Sequence, residues 1–120
     1  CKSIGDLLAK MKKAIGRGDT PAIGRLAEKD TLNLHAITMT GKSHMVLWEP
    51  DTLRIIKEAI SIRNSGTPAW YSVDTGPSVF VNTDKRNSRI VAERLHEIGF
   101  KNVIASGVGG KPVLTRKHLF

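Results

Sequence analysis

The residues best placed to do chemistry lie in AWYSVDTGPSVFV, Ala69 to Val81, where a lone acid, Asp74, is followed by Thr75, Gly76, Pro77 and Ser78 and apolar residues flank both sides. Gly76 has no Cβ to keep a ligand away from the backbone, and Pro77 fixes φ so that the corner holds one shape. Such a corner can present amide N–H groups to a phosphate while Asp74 projects towards whatever is bound. The same string also suits an ordinary β-turn in which Asp74 caps its own backbone, because Asp-x-Gly and Gly-Pro are common turn formers. On spacing alone the turn is the simpler reading.

Other reactive residue types form no comparable constellation. His35, His44, His96 and His118 show no metal-like pairing, so no metal site is expected. His35 reads as a packing or capping residue, and Trp48 and Trp70 as core or interface aromatics. Lys42 and Arg54 could help to hold a phosphate, although a solvated face is the default. Gly107, Gly109 and Gly110 make the one glycine-rich loop, which opens no helix and therefore reads as a hairpin turn. Neither G-x-G-x-x-G nor G-x-x-x-x-G-K-[ST] occurs. The single cysteine, Cys1, has no intrachain partner and reads as an unremarkable terminal thiol.

A chain of 120 residues is expected to form one domain, burying roughly two-thirds of the surface its unfolded form exposes. Nineteen basic against 11 acidic residues give a charge of +8. That charge attracts anions generally: nucleic acid, acidic membrane surface or phosphorylated metabolites. No 18-residue apolar run and no signal-peptide order are present, which predicts a soluble chain without a membrane partner. The opening CKSIGDLLAK lacks an initiator methionine and starts on the brink of a helix, as expected of a piece of a longer polypeptide.

The elements that must position Asp74 follow from periodicity. Ile4, Leu7, Leu8, Met11 and Ile15 form one helical stripe that Gly16 and Gly18 end, with Lys10, Lys12 and Lys13 on a solvated face. Asp19 and Thr20 before Pro21 start a second helix, running through Ile23, Leu26 and Ala27 towards His35. Residues 37–47 are ambiguous. Glu49-Pro50-Asp51-Thr52 starts a third helix, with Leu53, Ile56 and Ile60 on one face and Ser65-Gly66 closing it. Asp84 to Ser88 introduces a fourth, carrying Val91, Leu95 and Ile98 and stopped by Gly99. KNVIAS then reads as a strand, GVGGKP as a turn and VLT as a short return strand. The order predicts an α+β fold, a small antiparallel sheet covered on one face by helices.

Several of these segments together resemble the diphosphomevalonate decarboxylases, of the superfamily of galactokinase, homoserine kinase, mevalonate kinase and phosphomevalonate kinase. WYSVDTGPSVFV is similar to the aspartate-bearing DAGPN loop of that family. MKKAIGRGDTPAIGRLAEKDTLNLHAI is similar to its helix pair, where a Lys-Asp-Ser-Asn-x-x-His-like element falls on Lys29, Asp30, Thr31, Leu32, Asn33, Leu34 and His35. PDTLRIIKEAISIRNSGTPAWYSVD follows the family's helix into its catalytic strand, so the match is collinear from residue 1 to about residue 107.

The resemblance implies a ferredoxin-like C-terminal domain of such a kinase, spanning 1–120, whose N-terminal domain binds most of the ATP and magnesium. It implies an ATP-dependent phosphorylation of the 3-hydroxyl of 5-diphosphomevalonate, then loss of phosphate and carbon dioxide to give isopentenyl diphosphate. It places the catalytic aspartate at Asp74 and the substrate-binding corner at Thr75, Gly76, Pro77 and Ser78. It further implies a cytoplasmic homodimer of isoprenoid biosynthesis, and an isolated 1–120 chain without activity. Thr75 and Ser78 depart from the Ala and Asn common in the family, and the Gly-Pro-Ser form is similar to homoserine kinases, which lack the aspartate. Alternatives within the family are a decarboxylase of monophosphorylated mevalonate and a mevalonate 3-kinase that stops after phosphorylation. From another class, a basic α+β RNA-binding module would need stacking aromatics and an RNP1-like string; the string is absent and aromatics are 5%. No nucleic-acid partner is therefore expected.

Overall fold

The computed structural model describes residues 2–114. Cys1 lies outside them, as do His118 and the last residue of the expected VLT strand. Four helices and two strands follow in the order α1 (Lys2–Arg17), α2 (Thr20–Thr40), α3 (Pro50–Asn64), β1 (Trp70–Val73), β2 (Val79–Asn82) and α4 (Ser88–Glu97). This is an α+β fold built on a two-stranded antiparallel sheet.

The helix boundaries follow from capping chemistry. The Asp19 side chain accepts a hydrogen bond from the Ala22 N–H at 2.9 Å, satisfying one of the free donors at the start of α2. α2 continues to Thr40, which resolves the first part of the ambiguous 37–47 stretch as helix. At α3, the Thr52 hydroxyl accepts from the backbone N–H of Glu49 at 3.2 Å. Gly18 and Gly99, at φ 62° and 102°, supply the left-handed backbone that stops α1 and α4.

The sheet pairs Trp70 with Asn82, Tyr71 with Val81, Ser72 with Phe80 and Val73 with Val79. Alternation places Tyr71, Val73, Val79 and Val81 on one face, where they pack with Ile56 and Ala59 of α3 and with Trp48. A second cluster joins Ile62 and Ala69 to Val91 and Leu95 of α4. On the other face, which also carries Trp70, Phe80 is 62% exposed. Trp70 is buried against α2, where a Cβ on Gly24 would lie 2.3 Å from two Trp70 ring carbons. Gly24→Ala gains helix propensity of about 1 kcal/mol. Overpacking outweighs this, and a net loss of about 2 kcal/mol is expected in urea unfolding. Gly5→Ala, in α1 with no atom within 4 Å of the new Cβ, is expected to stabilise slightly.

Two linked expectations fail, the C-terminal strand pair and the hairpin between its strands. KNVIAS and the described part of VLT form no strand: residues 101–114 lie in no regular element, and Ile104, Val113 and Leu114 are exposed. Only Val103 of this stretch packs on the core. An apolar run becomes a strand only where a sheet edge accepts its N–H and C=O groups, and here β1 and β2 pair with each other alone. The glycine-rich loop is consequently no hairpin. The apolar stripe of α1 is also largely uncovered, with Ile4, Leu8 and Ile15 exposed. Its 3.6-residue period sets the helix without supplying a partner for that face.

Candidate functional site

β1 ends at Val73 and β2 begins at Val79, so residues 74–78 form the five-residue connection closed by the Val73–Val79 pair. Asp74, Thr75, Pro77 and Ser78 are exposed and Gly76 is half-buried. No hydrogen bond or ion pair to a described residue engages the Asp74 carboxylate, so it does not cap its own turn. Gly76 needs neither a left-handed φ nor space, since a Cβ there would meet nothing within 4 Å. What its missing side chain leaves open is the outer approach to the backbone. The structure brings Asp74, Thr75, Gly76, Pro77 and Ser78 together as one exposed tip with a free carboxylate.

Two helices hold this tip. β1 has one edge on β2, and its other edge lies along α2. There the Thr31 hydroxyl accepts from the Val73 N–H at 3.0 Å and donates to the Val73 carbonyl at 3.3 Å. The Glu28 carboxylate accepts from the Tyr71 N–H at 3.1 Å. Side chains of α2 thereby satisfy backbone groups that a further strand would otherwise take. From α3, the Thr52 hydroxyl donates to the Pro77 carbonyl at 3.0 Å. Local sequence rules give Thr31 and Glu28 no such role, and give Thr52 only a place in the start of α3. The signal available was Gly24, Thr31 and His35, small or polar residues recurring on one buried face of α2.

One turn beyond Thr31, His35 is only 1% exposed and packs against Trp48, ring centroids 5.0 Å apart at 52°. Neither ring nitrogen of His35 has a hydrogen-bond partner among the described residues. Arg54 is committed to structure: it donates to Asp51 at 2.7 Å and to the Ile98 carbonyl, and sits 5.0 Å over the Phe100 ring. Lys42 is exposed and makes no ion pair with the described residues.

The positive charge concentrates elsewhere. A groove of about 410 Å³ between α1 and α2 is lined by Lys10, Lys13, Arg17, Arg25 and Lys29, with Asp19 as its one acid. Its α2 lining comes from the first half of that helix, up to Lys29. The RNA-binding alternative lacks its stacking platform, because Trp70 and Tyr71 are buried and Phe80 is the one exposed aromatic on the sheet. No helix among the described residues is long and apolar enough to cross a membrane.

No family model matches the chain. It is 38% identical over 101 residues to the phosphomevalonate decarboxylase of Haloferax volcanii, a match covering 83% of this chain and 31% of that protein. It is 33% identical over 57 residues to the mevalonate 3,5-bisphosphate decarboxylase of Thermoplasma acidophilum, covering 48% of this chain and 14% of that one. Among solved structures, the mevalonate diphosphate decarboxylase of Enterococcus faecalis superposes with a TM-score of 0.78 at 26% identity, over 83% of this chain and 31% of that chain. The chain therefore spans under a third of the length of these relatives. In sequence and in fold, it is a relative of the mevalonate-pathway decarboxylases.

Proposed function

We propose that this chain is the C-terminal domain of an ATP-dependent decarboxylase of a mevalonate phosphorylated at C5, with Asp74 at the substrate's 3-hydroxyl. The observation that carries this is the exposed, unpaired Asp74 on a rigidly held tip, in a chain collinear with decarboxylases of phosphorylated mevalonates. Thr75, Gly76, Pro77 and Ser78 would surround the substrate next to it. The enzyme would act in the cytoplasm as a homodimer.

A tertiary hydroxide is a poor leaving group, and phosphorylation of the 3-hydroxyl converts it into a good one. Asp74 orients the hydroxyl towards the γ-phosphorus of ATP and accepts its proton as the O–P bond forms and ADP departs. A carboxylate is a weak base for an alcohol. A loose phosphoryl-transfer transition state needs little early deprotonation, so orientation and late proton acceptance suffice. When the C3–O bond then breaks, phosphate leaves with its electron pair. The electrons of the C–CO₂ bond move to form the new double bond, and carbon dioxide is released.

The described residues contain no group of three His, Cys, Asp or Glu that could hold a metal ion. Magnesium accompanies an ATP analogue in one matched structure, and one or two carboxylates together with substrate phosphates commonly suffice to hold it.

The DTGPS loop's resemblance favours the 5-diphosphate as substrate, while the higher identity to a phosphomevalonate decarboxylase favours the monophosphate. The test is carbon dioxide and ADP release by the full-length protein with ATP, magnesium and, in turn, phosphomevalonate, mevalonate 3,5-bisphosphate and diphosphomevalonate. Turnover of phosphomevalonate or diphosphomevalonate is expected, at equal amounts of ADP and carbon dioxide, whereas mevalonate 3,5-bisphosphate, whose 3-oxygen already carries phosphate, can release carbon dioxide but no ADP. ADP without carbon dioxide would make the protein a 3-kinase, and carbon dioxide from none of the three would overturn the reading. Residues 1–120 alone are expected to be inactive in the same assay.

A further inference from the structure

The tip that carries Asp74 makes few bonds of its own, and its shape is imposed from both ends by two buried hydroxyls. Thr31 is 4% and Thr52 1% exposed, and they come from different helices. The Val73 carbonyl, which accepts from Thr31, belongs to the peptide unit that contains the Asp74 nitrogen. The Pro77 carbonyl, which accepts from Thr52, belongs to the unit that contains the Ser78 nitrogen. Each hydroxyl is used twice. Thr31 also accepts from the Val73 N–H, and Thr52 also accepts from the Glu49 N–H at the start of α3.

The geometry points to Thr31 and Thr52 as positioning residues that set the direction of the Asp74 carboxylate, an inference that rests on the Asp74 reading above. With the first and last peptide planes of the tip fixed, only three peptide units between them can rotate. One of those three, Gly76–Pro77, is constrained further by the proline ring. Neither threonine touches the substrate in this account. Each acts by denying Asp74 the alternative orientations that a five-residue connection would otherwise sample.

The hydroxyl is separated from the side-chain volume by comparing valine, isosteric but without the oxygen, with serine, which keeps it. In the full-length enzyme, Thr31→Val and Thr52→Val are expected to lower kcat by about 10- to 100-fold with KM within about 3-fold, as misplacement of a reacting group does. Thr31→Ser and Thr52→Ser should restore kcat to within about 3-fold of the parent. Hydrogen exchange followed by mass spectrometry should show peptides spanning 70–80 exchanging faster in the valine variants only. Where a valine variant does not fold, Thr31→Cys or Thr52→Cys takes its place, because a thiol is close in size and a weak hydrogen-bond partner.

Unchanged exchange in folded variants overturns the inference whatever Asp74 does. So does unchanged kcat alongside faster exchange, or serine variants as slow as valine. Asp74→Asn, assayed in parallel, reports separately on the underlying reading: if that variant is inactive while the valine variants are not, the positioning role fails and the Asp74 role stands.

Discussion

Asp74→Asn in the full-length enzyme will reduce kcat by at least about 10² to 10⁴-fold, while KM for the phosphorylated substrate moves little. Asparagine keeps the size and one hydrogen-bonding oxygen but removes the charge and the proton acceptor. The ground-state complex should therefore survive while transfer to the 3-hydroxyl fails. Because the change removes orientation as well as proton acceptance, the loss belongs towards the upper end of that range. Asp84→Asn is the matched control. Asp84 accepts from the Asn87 N–H at 3.0 Å and from the Asn87 side-chain amide at 2.7 Å, closing the turn into α4. It should cost about 1 kcal/mol of stability and leave kcat unchanged. Retention of more than a tenth of kcat by Asp74→Asn would return Asp74 to the role of a turn residue.

The second large effect concerns stability. Arg63 of α3 meets Glu28 of α2 at 2.6 Å, with side chains 31% and 15% exposed. The same guanidinium nitrogen donates to the Ala69 carbonyl at 2.9 Å, and the same carboxylate oxygen accepts from the Tyr71 N–H. Glu28→Ala leaves that edge N–H unsatisfied and the guanidinium without its anion, so a loss of about 2–4 kcal/mol is expected in urea unfolding. Glu28→Gln, which keeps an oxygen for Tyr71, should lose about half as much. Arg63→Met combined with Glu28→Ala should lose less than the sum of the two single changes.

The pair also leaves a mark at high pH. Burial, and then the Glu28 charge, hold the Tyr71 phenol above its usual value of 10.0, with Arg63 pulling the other way. A folded-state pKa above the unfolded one contributes stability that is present below about pH 10 and is lost as pH rises through the folded value. Glu28→Gln removes one of the two raising influences, so its alkaline loss of stability should be shallower. An equally steep alkaline limb in the variant would contradict this account of Tyr71.

What could be read from the sequence was what neighbouring residues decide among themselves. Asp19 before Pro21, the Glu49-to-Thr52 start and Gly99 are local capping chemistry, and they mark helix ends within a few residues of where they fall. The VDTGPSV corner was legible for the same reason: its flanking apolar residues pair as Val73 with Val79 around it. What failed depended on partners far along the chain. KNVIAS has strand composition, but no sheet edge among the described residues receives it, and the α1 stripe forms its helix, yet Ile4, Leu8 and Ile15 stay exposed while Leu7 and Met11 are half-buried. Thr31 reads locally as a mediocre helix former, and only Val73, 42 residues on, gives it a role. Thr52 reads locally as a helix-start residue, yet its second bond, to Pro77 25 residues later, is invisible to any local rule. The Glu28–Arg63 pair, 35 residues apart, belongs with these.

The most direct measurement is a crystal structure of the full-length enzyme holding its C5-phosphorylated mevalonate and a non-hydrolysable ATP analogue. This account places an Asp74 carboxylate oxygen about 2.6–3.2 Å from the substrate's 3-hydroxyl oxygen, with that hydroxyl facing the terminal phosphorus of the analogue. A 3-hydroxyl bound by another side chain, with Asp74 turned to solvent and beyond reach even through one water, would contradict it.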